Sequence, residues 1–198
     1  MFNANAVPPS IGYYFAGFVD GEGSFNLSFR LRKDYTLPWK VSLCLNVSQK
    51  DQVILALLKT HLQCGTLRYK SDGVWFFEVN NLNSIRDNVV PFFDRFGFLS
   101  AKKKRDFSIF KRMAEIMQDG AHLSKDGIIG LLELRRDMND GGKRRYLESE
   151  ILAAFDTTSE SPETICRTVE VPISTDDIVR TSGRPEERDG NDPARPEG

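Results

Sequence analysis

A chain of 198 residues, 40% hydrophobic and 28% charged, has material for one globular core plus an extension, and its formal net charge of −1 argues at first against a polyanionic partner. That balance is uneven: residues 1–156 carry 22 basic and 18 acidic side chains, net +4, whereas residues 157–198 carry 5 and 10, net −5. No apolar run approaches the roughly 18 residues of a membrane span, and Cys44, Cys64 and Cys166, scattered and without a CxxC pair, argue against a disulfide framework or a zinc site.

The opening Met1-Phe2-Asn3-Ala4-Asn5-Ala6-Val7-Pro8-Pro9 lacks the charged-then-apolar layout of a signal peptide, so an intracellular protein is expected, in a bacterial cytoplasm or an organelle. A helix follows over about 10–22. Ile11, Phe15, Phe18 and Val19 recur at helical spacing, while Gly12 and Ala16, one turn apart, and Gly17 beside them leave a face with no bulk. Glycine inside a helix costs roughly 1 kcal/mol relative to alanine, so such a face predicts that another backbone comes close. The helix is expected to stop at Asp20-Gly21-Glu22-Gly23, with Gly21 at positive φ and the exposed carbonyls joining Glu22 in an oxygen cluster suited to a hard cation.

Period-two alternation then predicts two strands. Phe25, Leu27, Phe29 and Leu31 oppose Ser24, Asn26, Ser28, Arg30 and Arg32; after a turn near 34–38, Val41, Leu43, Leu45 and Val47 oppose Lys40, Ser42, Cys44, Asn46 and Ser48. A helix over about 51–62, a hairpin of 66–70 and 74–79 around Ser71-Asp72-Gly73, and a helix over about 82–95 repeat and close the unit. Three apolar-periodic helices are expected at about 104–118, 124–138 and 143–155, separated by Asp119-Gly120 and Asn139-Asp140-Gly141-Gly142. The fold class is therefore α+β, with one domain over 1–156. The Ser-, Thr-, Pro- and acid-rich segment 157–198 is expected to be disordered or loosely held.

Phe15-Ala16-Gly17-Phe18-Val19-Asp20-Gly21-Glu22-Gly23 resembles the signature of the LAGLIDADG homing endonucleases, and Ser24-Phe25 opens the strand that follows it there. The resemblance implies that family's αββαββα fold, a saddle-shaped antiparallel sheet laid on DNA, with additional C-terminal helices. It also implies that the signature helices of two subunits pack together and that the last acidic residue, here Glu22, binds a divalent metal. One signature per chain then implies a homodimer, with Gly12, Ala16 and Gly17 at the twofold interface. Gly21 and Glu22 become the metal ligands, and Mg²⁺ is the natural ion for phosphodiester hydrolysis. Gln49 occupies the position at which single-motif members carry a Gln that helps arrange water at the metal. Lys102-Lys103-Lys104-Arg105-Asp106-Phe107 matches the segment that supplies the family's catalytic lysine; Lys102 and Lys103 are both candidates, and Lys104 fits a phosphate anchor or a solvated residue.

The polar sheet face carries Asn26, Ser28, Arg30, Arg32, Lys40, Ser42, Asn46, Arg68 and Lys70 with hardly an acid among them, whereas a solvated face mixes signs. A two-stranded ribbon fits the major groove, where Arg pairs with guanine, Asn with adenine, and Lys anchors phosphates. Double-stranded DNA is thus the expected partner, alongside a second copy of the chain, and no membrane. Lys143, with Arg144 and Arg145, puts positive charge at an expected helix start, which opposes the dipole and favours a phosphate partner. His122 has no second His at metal spacing and is read as a capping or core residue. The expected function is a site-specific double-strand DNA homing endonuclease, intron-encoded, cutting a long pseudo-palindromic target. The alternative is a non-catalytic nucleic-acid-binding relative, such as an RNA maturase assisting intron splicing.

Overall fold

Pro9 stands in the first turn of helix α1 (Pro9–Glu22), where a missing N–H leaves no hydrogen bond unmade. The computed structural model describes residues 2–32, 39–141 and 144–156. The expectations for the 34–38 turn, for Lys143, for Cys166 and for segment 157–198 lie outside the described residues. Helix α1 passes without a loop into β1 (Gly23–Leu31), which pairs antiparallel with β2 (Trp39–Gln49), from Gly23 opposite Val47 to Leu31 opposite Trp39. Helix α2 (Gln52–Leu62) starts on Asp51, whose carboxylate accepts from the Val53 N–H at 2.8 Å. The second hairpin, β3 (Thr66–Tyr69) and β4 (Trp75–Val79), turns through Gly73 at φ +83°. Strand β4 joins β2, so the sheet runs β1-β2-β4-β3 with every pairing antiparallel.

Residues 82–96 are helical in three pieces: α3 (Leu82–Ser84), a π-helical stretch Ile85–Val89, and α4 (Val90–Phe96). Pro91 lacks an N–H and its ring crowds the carbonyl one turn back; the widened register before it, with the Val90 N–H bonded to Ile85 O, absorbs that break. Helix α5 (Ala101–Gln118) begins earlier than its apolar period suggests, because Ser100 caps it through the Lys103 N–H at 3.2 Å. Ser124 caps α6 (Lys125–Asp137) in the same way.

The last expected helix begins later than the sequence suggests, with α7 spanning Glu148–Asp156 rather than starting near 143. Asn139 and Asp140 both take left-handed backbone, at φ 54° and 52°. Arg144 then turns its guanidinium back onto the Arg135 and Met138 carbonyls at 2.7 and 3.1 Å, closing the C-terminal end of α6 instead of opening a new helix. Its cation is spent on that cap. Among the described residues no helix is long and apolar enough to cross a membrane.

The apolar sheet face, Phe25, Leu27, Phe29, Leu43, Leu45, Val47, Phe77 and Val79, is buried beneath helices. Phe25 is hemmed by the rings of Phe110, Phe107, Phe98 and Phe93, with centroids at 4.7, 5.5, 5.9 and 6.4 Å. Burying such a ring stabilises the fold by about 1.5–3 kcal/mol, so the start of β1 and helix α5 are held as one block. That block carries the candidate site.

Gly12 shows what the bare face of α1 packs against. A Cβ there would lie 2.2 Å from the Phe96 ring, so the close approach is made by α4 of the same chain. Gly12→Ala gains about 1 kcal/mol of helix propensity, but it must displace a ring wedged against Phe92 and Tyr13, at a cost of about 1–3 kcal/mol. A melting temperature below that of the wild type is expected in a thermal scan.

Candidate active site

A helix leaves its last carbonyls without intrahelical partners, and its dipole makes that end negative. At the end of α1 the carbonyls of Asp20, Gly21 and Glu22 therefore gather beside the exposed Glu22 carboxylate. Gly21 lies within the helix and not at the positive φ expected of a cap; the chain leaves through Gly23 at φ −83°, ψ 154°. A Cβ on Gly23 would sit 2.7 Å from Val19 O, so the direct step from helix to strand requires glycine there. At Gly21 the surrounding space is open. A hard cation fits this corner, which offers a carboxylate, main-chain oxygens and room for water. Among the described residues no group of three or more His, Cys, Asp or Glu side chains could hold an ion. An ion at Glu22 would therefore draw its other ligands from carbonyls, water, phosphate or a second chain.

The Asp20 carboxylate is engaged with the segment that opens α5. Its carboxylate accepts the Leu99 N–H at 3.0 Å, the Ser100 N–H at 2.9 Å and the Ser100 hydroxyl. Burial raises its pKa, but these bonds from Ser100 and Leu99, with Lys103 nearby, outweigh it and hold the carboxyl below the usual carboxylate range. The same Ser100 Oγ accepts the Lys103 N–H, and the Lys103 ammonium donates to Gly23 O, one residue beyond Glu22. Burial lowers the Lys103 pKa, against the opposing pull of the Asp106 and Asp20 carboxylates, and Lys102 adds to the depression.

The two candidate lysines are thus separated by the structure. Lys103 lies at the end of α1, whereas Lys102 is exposed and 2.6 Å from Asp140, whose hydrogen bond raises its pKa. Asp140 also holds Arg105. Its neighbour Asn139 locks the same loop inward: its N–H reaches the buried Asp106 carboxylate at 3.3 Å, and its side-chain amide donates to Phe25 O at 2.7 Å and to Asn26 Oδ1 at 3.3 Å.

Across the polar sheet face the register sets Ser24 opposite Asn46 and Asn46 opposite Glu78, Asn26 opposite Cys44, Ser28 opposite Ser42, and Arg30 opposite Lys40. Two cations directly across a strand pair repel one another, a cost that an anion lying over them would relieve. Asn26 is less free than the sequence suggests, since it donates to Ser24 Oγ at 3.0 Å and accepts from Asn139. Ser28 donates to Ser42 O at 3.3 Å. The face also carries an acid overlooked in the sequence: Glu78 pairs with Arg68 at 2.7 Å. Lys70 lies over the Phe76 ring at 3.6 Å. Arg32 follows β1 at the far end of the hairpin. Cys44, beside Glu78 and Asn46, has its thiol pushed up to about 12, first by burial and then by the Glu78 charge. Gln49 ends β2 with its side-chain oxygen accepting the Lys50 N–H at 2.8 Å, which leaves its amide N–H groups to donate. His122 is half-buried in a 3-10 turn, and burial lowers its pKa.

The face of α1 read as an interface splits in two. Gly12 and Ala16 are buried within their own chain, so they are not available to a second one. Gly17 and Gly21 have no atom within 4 Å of an added Cβ, and Tyr13 and Tyr14 are 62% and 55% exposed. This outward stripe, not the buried one, is the free surface.

Comparison with known proteins agrees with this architecture. Residues 15–114 match the family described as LAGLIDADG endonuclease. The chain is 26% identical over 140 residues to "Probable intron-encoded endonuclease 2" of Neurospora crassa, covering 69% of this chain and 31% of that protein. It therefore spans about a third of that relative's length. It is 28% identical over 145 residues to "DNA endonuclease I-CvuI" of Chlorella vulgaris, covering 70% of this chain and 85% of that one. Among solved structures, the archaeal intron-encoded homing endonuclease I-Vdi141I complexed with DNA superposes with a TM-score of 0.66 at 26% identity, covering 73% of this chain and 94% of that chain.

Proposed function

Because this chain belongs to the LAGLIDADG endonuclease family, whose members use divalent metal ions, we propose that it is an intron-encoded homing endonuclease. It would cut both strands of a long pseudo-palindromic DNA target in the presence of Mg²⁺. The observation that carries this reading is the Lys103 ammonium bonded to Gly23 O, one residue beyond the exposed Glu22 at the C-terminal end of α1, where the chain enters the first strand of a basic sheet face.

Glu22 and Gly21 O would hold the metal, which when bound lowers the pKa of a water and offsets charge on the phosphate. Gln49 orients water through its free amide N–H groups. Lys103 sits where it can neutralise negative charge developing on the scissile phosphate. Arg30, Arg32, Lys40, Arg68 and Lys70, with Ser28, Ser42 and Asn46, meet the DNA; Arg68 arrives already oriented by Glu78. Lys143 is assigned to a backbone phosphate. Asn26 joins this surface with its amide fixed by Ser24 and Asn139.

One carboxylate per chain requires two chains for two cuts, and the outward stripe of Tyr13, Tyr14, Gly17 and Gly21 is the surface for the second copy. Gly17→Leu adds bulk where the protomer has space, so it should fold normally yet scatter light as a monomer; a variant that remains a dimer would move the interface elsewhere. The activity itself is tested by incubating the purified protein with a plasmid library of intron-insertion sites in Mg²⁺. Linearisation confined to a few sequences is expected, and intact plasmid throughout would reject the nuclease reading.

A further inference from the structure

Asp20 lies two residues before Glu22 on α1, yet its carboxylate accepts from Leu99 and Ser100, which lead into α5 about eighty residues later in the chain. The path returns by another route: Ser100 Oγ accepts the Lys103 N–H, and Lys103 Nζ donates to Gly23 O. Asp20, Ser100, Lys103 and Gly23 therefore close a ring that fixes the first turn of α5 against the last turn of α1. An ordinary helix cap needs only its own serine. Here the cap of one helix is itself gripped by the carboxylate of another, with two N–H groups on Oδ2 and the hydroxyl on Oδ1. Leu99, between α4 and α5, is 90% exposed; its neighbour Phe98 and Phe107 of α5 pack on Phe25, and the polar ring adds to that apolar contact a directional hold on the first turn of α5. We propose that Asp20 is a positioning residue for cleavage, acting through Ser100 to hold the Lys103 ammonium on Gly23 O, the residue that follows Glu22. This rests on the nuclease reading above.

Asp20→Asn tests it, because the amide keeps the size and its one oxygen can still accept the Leu99 and Ser100 N–H groups, but its NH2 then faces the Ser100 hydroxyl, which loses its acceptor. Two readouts are taken on the full chain. The first needs no DNA: limiting acetylation with an N-hydroxysuccinimide ester, read by mass spectrometry, with Lys102 and Lys104 as internal references. Lys103 labelling is expected to rise severalfold in Asp20→Asn. The second is single-turnover cleavage beside gel-shift affinity in Ca²⁺. Asp20→Asn should slow cleavage by about tenfold or more, as misplacement of a reacting group does, with affinity unchanged. In a Lys103→Met background the same substitution should cost less than about twofold, since coupled residues are not additive.

Unchanged Lys103 labelling, or rate losses that multiply in full, would overturn the proposal, the second outcome leaving Asp20 as a structural cap only. Should Asp20→Asn unfold by circular dichroism, Ser100→Ala, which removes only the hydroxyl link, carries both readouts with the same expectations. Should the wild type cut no DNA, the nuclease reading fails, and labelling alone decides whether Asp20 sets the position of Lys103.

Discussion

Glu22→Gln is expected to leave folding and sequence-specific DNA binding intact while slowing Mg²⁺-dependent cleavage by about 10²–10³-fold, the range seen when a preorganised electrostatic partner is removed. The side chain is exposed at the end of α1, so the amide costs little stability; substitutions of this kind usually stay within about 0.5 kcal/mol. What changes is charge. A carboxylate at a negative helix end, beside main-chain carbonyls, binds a cation well, and a neutral amide weakens that corner as an ion site. In a dimer about a twofold axis the two Glu22 carboxylates would also repel one another unless cations neutralise them. Glu22→Gln should therefore associate at least as well as wild type in the absence of metal, which separates loss of chemistry from loss of assembly. Gel shifts in Ca²⁺ beside cleavage in Mg²⁺ provide the measurement. Wild-type cleavage by the variant would make Glu22 a solvated helix end and remove the physical basis for a metal at this corner.

The elements legible in the sequence are those whose signal is local. Alternation from Ser24 to Arg32 and from Lys40 to Ser48 gives both long strands and their facing, because a period of two is set by the pleat itself. Ser71-Asp72-Gly73 gives the second hairpin because glycine takes the left-handed turn position there. What stayed hidden depends on partners distant in the chain. Gly12 and Ala16 announce a close approach but not by what, and Phe96 of the same chain answers it. Glu78 belongs to a recognisable strand, yet its place on the basic face follows only from β4 pairing with β2 opposite Asn46. Asp20 is a visible carboxylate in the signature, but its partners are Leu99 and Ser100. The late start of α7 follows from two left-handed residues, Asn139 and Asp140, held by Asp106, Lys102 and Arg105.

Lys103→Met is expected to slow cleavage by about 10²-fold, whereas Lys102→Met changes it by no more than a few-fold. Sequence spacing leaves these two lysines equivalent; their surroundings do not. The Lys103 ammonium is half-buried, bonded to Gly23 O, and directed to the end of α1 by the Ser100 cap. A charge held in a partly desolvated corner acts on a nearby phosphate more strongly than one in water, and it needs no reorganisation when negative charge develops. Lys102 is exposed and paired with Asp140, so its field is screened and its charge already compensated, and an exposed pair of this kind contributes about 0–1 kcal/mol to stability. Methionine keeps the length and apolar stem of lysine, so neither replacement opens a cavity. The decisive comparison is single-turnover cleavage by both variants at saturating DNA, with affinity measured separately. Equal losses would mean that the basic run acts as a shared phosphate anchor. A larger loss for Lys102→Met would place the reacting phosphate on the Asp140 side of α5 and away from Glu22.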